Sequence, residues 1–335
     1  AALVNGAAAH ESGSSARASH YDVLVLGEPM LERHADAAGR PTAPDAVSGD
    51  AFNAACASAL AGARVALLTA VGRDHPGDRV LAELTRRGIG TEYVSRDDRP
   101  TGAYTVSPGP DGRPEFSYHR AGSAASALDP SRLARWHPVI EITPVLVTGG
   151  IFAALTTGTE ALVRAAVAVT AAAGRAVCYD VNFRPRLSTP AAALATLRAV
   201  APHCGLIKIA SPGDSQPLLG HTAPAEVTTA LRALTDATVV VTAGENPLTL
   251  AEDGSVSQHP VPPAPGFVDA TGAGDVLAGT LAAALARGET VTAALPEAMA
   301  AAALSTGHRG GAPLCSPTTH PAHGKRSRWT PGPAI

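Results

Sequence analysis

Two carboxylates bracket the stretch Asp269-Ala270-Thr271-Gly272-Ala273-Gly274-Asp275, which runs directly into the apolar segment Val276-Leu277-Ala278-Gly279-Thr280-Leu281. The apolar segment reads as a buried helix. Gly272 to Asp275 should then form its first turn, where backbone N–H groups have no acceptor inside the helix. Glycines at 272 and 274 permit left-handed dihedrals that turn those groups toward one point. A nest of this kind binds anions, phosphate above all. The helix dipole stabilises a carboxylate at the same end, so Asp275 is expected to stay ionised and ready to take a proton. An anion cradle beside a base suits phosphoryl transfer to a hydroxyl. The bland alternative is that Asp269 and Asp275 only cap and solvate a helix start.

The elements that must position this stretch follow from bulk properties and periodicity. The 335-residue chain is 45% hydrophobic and 16% charged, enough for one large α/β domain or two small ones. A net charge of −3 argues against a nucleic-acid surface or an anionic membrane as partner, and no apolar run is long enough to span a bilayer. Cys56, Cys178, Cys204 and Cys315 are scattered without metal spacing, the pattern of inert thiols in a reduced compartment. The first twenty residues lack the basic start and apolar core of a signal peptide. A cytoplasmic protein is expected, with small-molecule substrates and a homodimer left open as its assembly.

Residues 1–20 and 316–335 are rich in Ser, Pro, Ala and His and read as disordered tails around one domain at 21–315. Within it, strand-like runs at 21–27, 64–72, 92–96, 145–150, 176–182, 205–211 and 238–244 alternate with helical patterns at 52–63, 76–88 and 158–174. Such alternation predicts an α/β fold, a mostly parallel sheet with helices on both faces. The segment 101–123 breaks the rhythm. It alternates polar and apolar residues around Pro108-Gly109-Pro110-Asp111-Gly112, a hairpin signature. Together with residues of about 30–48 it should make a small β lid.

Ligands in open α/β sheets sit beyond the carboxyl ends of the strands. Those ends offer Gly27-Glu28, Gly149-Gly150, Asp180 to Arg184, Ser211 to Asp214, and Thr242 to Gly244. Arg184 presents a planar fork for phosphate or carboxylate, or is a solvated surface arginine. Asp214 is a candidate to organise Mg²⁺ through water, or only a turn residue. The twelve histidines cluster nowhere at ligand spacing, so no metal cage is assigned. Lysine occurs only at 208 and 325. Thr319 stands where a P-loop ending at Lys325 needs its first glycine, and nothing before Lys208 qualifies as a protein-kinase β3 lysine. A dinucleotide-binding reading of Gly272 and Gly274 fails because no buried strand precedes them.

These residues resemble a known family. Residues 269–283 are similar to the C-terminal signature of the ribokinase-like (PfkB) sugar kinases, and the likeness runs from about Tyr21 to Pro313. Residues 48–89 resemble that family's N-terminal substrate region. The segments 100–106, 116–128 and 180–187 are similar to 2-keto-3-deoxygluconate kinases. The resemblance implies a three-layer α/β/α ribokinase-like fold with ATP as donor and Mg²⁺. It makes Asp275 the base toward the sugar hydroxyl, with Gly272, Ala273 and Gly274 as the anion hole. Gly49, Asp50 and Asn53 would belong to the sugar turn. Tyr104, Tyr118, Arg120 and Arg184 would embrace an acidic keto-sugar. Asn182, Arg184, Ser211, Thr242, Gly244 and Asn246 would face the nucleotide, in a loop spanning Thr242 to Leu248.

Four departures from the family pattern stand out. Ser48-Gly49 replaces Gly-Gly, and Asp214 replaces the last Glu of the metal-organising strand end. Pro247 takes a customary glycine position, and His308 stands where an acid is common. The expected activity is phosphorylation of 2-keto-3-deoxygluconate. A neutral-sugar kinase such as a fructokinase is the first alternative, and a non-catalytic sugar-binding relative is another. From a different class, Lys208 on an apolar strand could serve as the Schiff-base lysine of a keto-acid aldolase, if burial lowers its pKa.

Overall fold

The computed structural model describes residues 21–109, 114–264 and 266–314. Both sequence tails, the tip of the 101–123 hairpin, Cys315 and Lys325 lie outside the described residues. The chain runs β1 (Val23–Leu26), β2 (Met30–His34), β3 (Ala46–Ser48), α1 (Asp50–Leu60), β4 (Val65–Gly72), α2 (His75–Arg86) and β5 (Val94–Asp97). The hairpin β6 (Ala103–Pro108) and β7 (Pro114–His119) follows, then α3 (Leu133–Ile142), β8 (Val145–Gly149), α4 (Gly150–Ala153) and α5 (Thr157–Ala172). Next come β9 (Ala176–Asp180), α6 (Pro190–Val200), β10 (Leu206–Ala210), α7 (Ser215–Leu219), α8 (Pro224–Arg232) and β11 (Thr238–Ala243). The last elements are β12 (Asn246–Glu252), β13 (Ser255–His259), α9 (Ala273–Ala286) and α10 (Val291–Ser305).

The main sheet has nine strands in the order β13-β12-β11-β10-β9-β8-β1-β4-β5. Pairings from β11 through β5 are parallel, and only β12 and β13 are antiparallel. Alternation along β1 shows why the interior has two halves. Leu24 and Leu26 point into a core shared with Trp136 of α3 and Leu162 of α5. Val23 and Val25 point the other way, into a core shared with Phe52 of α1 and Leu281 of α9. A strand buried on both faces reads as a continuous apolar run, which is the reason "VLVL" carries no polar break. A second sheet, ordered β3-β2-β6-β7, stands apart from the first. It is the small β lid expected from 30–48 and 101–123.

The packing of α1 on α9 is what assembles the site. A β-carbon at Gly279, in the middle of α9, would lie 2.2 Å from the Ala54 carbonyl oxygen. Ser58 Oγ donates to both the Ala54 and the Gly279 carbonyls, at 2.9 and 2.8 Å. A mid-helix glycine costs about 1 kcal/mol in propensity, offset here by helix contact at backbone distance. Such closeness brings the first turns of the two helices side by side.

The hairpin β12–β13 was not anticipated. The span Thr242 to Leu248, expected as one loop, is instead the end of β11, a two-residue turn at Gly244-Glu245, and the start of β12. The register slips between Val241 and Ala243, and Pro247 falls opposite this irregularity. That is where a strand tolerates a residue without an N–H.

Candidate active site

α9 begins as the sequence implies. Gly272 is its N-cap with φ 78 and ψ −5, a left-handed conformation. The first intrahelical bond runs from Val276 N–H to the Gly272 carbonyl at 2.9 Å, so the Gly274 and Asp275 amides have no intrahelical acceptor. Of the two carboxylates, Asp269 fits the bland reading. Its Oδ1 accepts from Thr271 N–H at 2.9 Å and Thr271 Oγ1 at 2.7 Å, which spends it on the turn. Gly274 needs correction as well. Its φ is not positive, and the space a β-carbon would enter is held by Lys208, 3.1 Å away at Nζ.

Asp275 faces a cavity beyond the carboxyl ends of β1, β8 and β9, lined also by Asp50, Gly149 and Asp180. Asn53, one turn into α1, donates through Nδ2 to Asp275 Oδ2 at 2.9 Å. Burial first, then the negative charges of Asp50 and Asp180, push Asp275 up to about 7; the Asn53 bond and Lys208 oppose them. The dipole was expected to hold it ionised. A helix dipole typically contributes under about 1 kcal/mol, and two carboxylates in a dry site outweigh it. The result is a carboxylate raised toward neutrality, where a general base is most effective.

Asp50 is raised too, by burial before all else, while the charges of Arg120 and Arg184 pull it down. Asp50 Oδ1 and Asn53 Oδ1 are buried acceptors without a partner, a pair that fits the hydroxyls of a polyol. Gly49 caps α1 at φ 111, and a β-carbon there would sit 2.7 Å from the Glu28 carbonyl. The wall opposite is Gly311, missed in the sequence. Its β-carbon would meet Asn53 Nδ2 at 2.3 Å, and a β-carbon at Gly272 would meet the Gly311 carbonyl, also at 2.3 Å. The pair Gly310-Gly311 after an Ala-rich helix was the available signal.

The proposed sugar-embracing groups are already engaged. Arg120 is buried against Glu28, with Nη2 2.5 Å and Nε 2.7 Å from Oε2. It is not a solvent-facing lid residue. The Tyr104 hydroxyl donates to Glu32, which also meets His34 Nε2 at 2.7 Å. Burial and the Glu32 charge raise Tyr104 far from ionisation. Tyr118 is 47% exposed, with its ring 5.6 Å from that of Tyr104 across the β6–β7 hairpin. Arg184 is exposed and donates to the Phe183 carbonyl at 2.9 Å.

On the nucleotide side, buried Asn182 adopts a left-handed φ of 39. Thr242 lies near the end of β11, Gly244 in the turn at φ 63, and Asn246 opens β12 with Nδ2 donating to the Ala243 carbonyl at 3.2 Å. The Ser211 hydroxyl turns away, donating to the Thr222 carbonyl at 2.7 Å. His308 Nδ1 lies 3.0 Å from the Arg309 carbonyl, and its Nε2 is buried without a partner.

Asp214, the expected organiser of Mg²⁺, is engaged by the backbone. Its Oδ1 accepts from Phe183 N–H at 2.8 Å and its Oδ2 from Ala210 N–H at 2.9 Å. The carboxylate therefore ties the segment after β9 to the end of β10. Asp214→Ala should leave two buried amides without acceptors, at about 1–3 kcal/mol each. The midpoint of thermal unfolding should fall by at least about 4 °C; an unchanged melting curve would remove Asp214 from this structural role. Among the described residues no group of three or more His, Cys, Asp or Glu could cage a metal. Mg²⁺ would fit here as an ion that keeps several waters and is held by substrate phosphates with one or two of the carboxylates Asp50, Asp180 and Asp275 on the cavity wall.

Lys208 corrects the aldolase alternative. Burial alone would lower its pKa, but the charge and hydrogen bonds of Asp180 outweigh burial and raise it. A Schiff-base lysine must be neutral to attack a carbonyl, and this one is held charged.

Comparison with known proteins follows the same lines. The chain is 32% identical over 298 residues to a 2-dehydro-3-deoxygluconokinase of Thermoproteus tenax, covering 86% of this chain and 89% of the relative. It is 29% identical over 260 residues to a 2-dehydro-3-deoxygalactonokinase of Haloferax volcanii, covering 77% and 80%. The crystal structure of a PfkB protein from Polaromonas sp. JS666 superposes with a TM-score of 0.77 at 26% identity, over 86% of this chain and 96% of that one. Residues 31–319 match the model of the pfkB family carbohydrate kinases. A family match over most of the chain, together with a relative of 32% identity aligned along nearly its whole length, shows that the chain belongs to the pfkB family of carbohydrate kinases.

Proposed function

We propose that the protein transfers the γ-phosphoryl group of ATP, with Mg²⁺, to a hydroxyl of a keto-deoxy sugar acid of the 2-keto-3-deoxygluconate type. The observation that carries the reading is Asp275, a part-buried carboxylate at the first turn of α9, bonded to Asn53 and facing the cavity, whose titration is raised toward neutrality. The sugar hydroxyl gives its proton to Asp275 as its oxygen bonds the γ-phosphorus. The bond from that phosphorus to the β,γ-bridging oxygen breaks, and ADP leaves with the electron pair. The free amides of Gly274 and Asp275 receive the charge spread over the phosphoryl oxygens. Mg²⁺, when bound with the triphosphate, neutralises phosphate charge.

Support for an acidic substrate comes from two sides. Asp50 feels the charges of both Arg120 and Arg184, and the two curated relatives act, by name, on keto-deoxy sugar acids. One observation favours a neutral sugar such as fructose instead, because Glu28 already neutralises Arg120.

A coupled ATP assay over a sugar panel decides between them. The sugar acid should exceed fructose and ribose in kcat/KM by at least about tenfold, the worth of roughly one charge-assisted hydrogen bond. Arg184→Ala is the cleaner probe, since Arg120→Ala would leave Glu28 buried and unpaired. It should shrink the preference by harming the acid alone. Equal rates on fructose and the acid, untouched by Arg184→Ala, would leave a kinase of neutral sugars.

A further inference from the structure

Lys208 is 6% exposed and sits on β10 beneath the start of α9. Its Nζ donates to both carboxylate oxygens of Asp180, at 2.8 and 2.7 Å. The empty side-chain position of Gly274 is filled from below by this ammonium and its Cε, 3.1 and 3.2 Å from where a β-carbon would stand. An ammonium has three N–H donors, and Asp180 accounts for two. Buried ion pairs are weak sources of stability, often replaceable by apolar residues of like volume. This pair therefore needs a reason other than holding the strand in place.

The other cations near the cavity are committed elsewhere. Arg120 is tied to Glu28, and Arg184 is exposed and bonded to the Phe183 carbonyl. Asp214, the expected organiser of the metal, is occupied by two backbone amides. Lys208 is the one described cation packed directly against the anion cradle.

We propose that Lys208 is a catalytic residue of phosphoryl transfer, its third N–H meeting an oxygen of the transferring group seated on the Gly274 and Asp275 amides, and that Asp180 positions it. The inference rests on the kinase reading above. Lys208 keeps its proton throughout; the proton released by the sugar hydroxyl goes to Asp275, and the P–O bond to ADP breaks as the P–O bond to the sugar forms. The glycine at 274 follows from this: any side chain there would push the ammonium away from the phosphoryl group.

The charges facing Asp275 come from three elements: Asp50 on α1, Asp180 on β9 and Lys208 on β10. Asn53 of α1 adds its hydrogen bond, and Arg120 and Arg184 act at one remove through Asp50. Asp180 pushes the base up and Lys208 pulls it down. Neutralising the two partners of one ion pair should thus move Asp275 in opposite directions, which places both charges beside it, while turnover in the double variant separates a catalytic ammonium from a structural one.

The test uses Lys208→Met, Asp180→Asn and the double variant, which leaves no uncompensated buried charge and so separates folding from chemistry. Lys208→Met should lower kcat by about 10²–10³, the range for losing one stabilising donor, with KM for the sugar within about threefold. The double variant should fold and stay as inactive as Lys208→Met. In ligand-free protein carrying [4-¹³C]Asp, the resonance lost in Asp275→Asn identifies the base. Its titration should shift upward in Lys208→Met and downward in Asp180→Asn. Recovery of near wild-type turnover in the double variant, or shifts of the Asp275 titration in one common direction, would overturn the proposal. Absence of transfer by the wild type on every sugar would overturn the kinase reading first, and the proposal with it.

Discussion

Asp275→Asn should reduce kcat by about 10²–10⁴, the usual worth of a positioned general base, while leaving the fold intact. The amide keeps the shape of the carboxylate and an oxygen for the Asn53 bond seen at 2.9 Å. The acid limb of kcat/KM in the wild type should fall near pH 7, where the base titrates. A limb near pH 4, the ordinary Asp value, would deny the site its electrostatic tuning. Stability adds an independent check. A folded-state pKa above the unfolded value means that the folded chain binds more protons between about 4 and 7. Ligand-free protein then loses stability as pH rises through that window, and the loss is complete above it. The variant has nothing to ionise there. It should melt above the wild type at about pH 8, with the gap closing toward about pH 4. Turnover close to wild type would remove Asp275 from the role of base.

Gly272→Val should be the most damaging change of the anion cradle. The residue sits at φ 78, a region that costs an L side chain about 1–2 kcal/mol and a β-branched one more. Its β-carbon would also overlap the Gly311 backbone at 2.3 Å from the carbonyl oxygen. Backbone cannot swing aside as a side chain can, so α9 must lose its first turn or Gly311 must leave Asn53. Transfer should drop by more than about 10²-fold, with a lowered melting temperature. Gly274→Ala gives the contrast, because residue 274 is helical and its new methyl would meet only the end of the Lys208 side chain, at 3.1–3.2 Å, and no backbone. That variant should fold as the wild type does and lose activity through the displaced ammonium alone. Equal thermal damage from the two changes would refute the distinction between the glycines.

The fold was legible because its core strands are buried on both faces. "VLVL" carries no polar interruption and "VLVTG" only Thr148, whose hydroxyl donates to the Leu26 carbonyl, and the helices between them repeat at helical spacing. The hairpin β12–β13 was not, since the exposed strand Ser255–His259 has no apolar face to announce it. In the site, the backbone features read well. The cap at Gly272, the turn at Gly49 and the place of Asp275 all follow from local rules of glycine and helix ends. Side-chain pairing read poorly. Nothing local tells that Arg120 meets Glu28, that Lys208 meets Asp180, or that Asp214 turns inward to two amides. Glu28, Asp180 and Phe183 each lie on another strand or loop, so their identity depends on register; only Ala210 is a near neighbour of Asp214. Gly311 was missed for the same reason: its constraint comes from Asn53, across the whole chain.

The Asn53–Asp275 hydrogen bond joins residues 222 apart in sequence, and the wall at Gly311 comes later still. At a synthesis rate of about 5–20 residues per second, the stretch from Asn53 to Gly311 takes roughly 13–50 s to make. Throughout that interval α1, with residues Ala51 to Ser58 destined for burial, has no α9 to pack upon. The ribosome thus displays an apolar helix for far longer than a short helix needs to form. Until α9 emerges, α1 can rest only on early elements such as β1 and β4, so the Asn53–Asp275 contact is among the last to close.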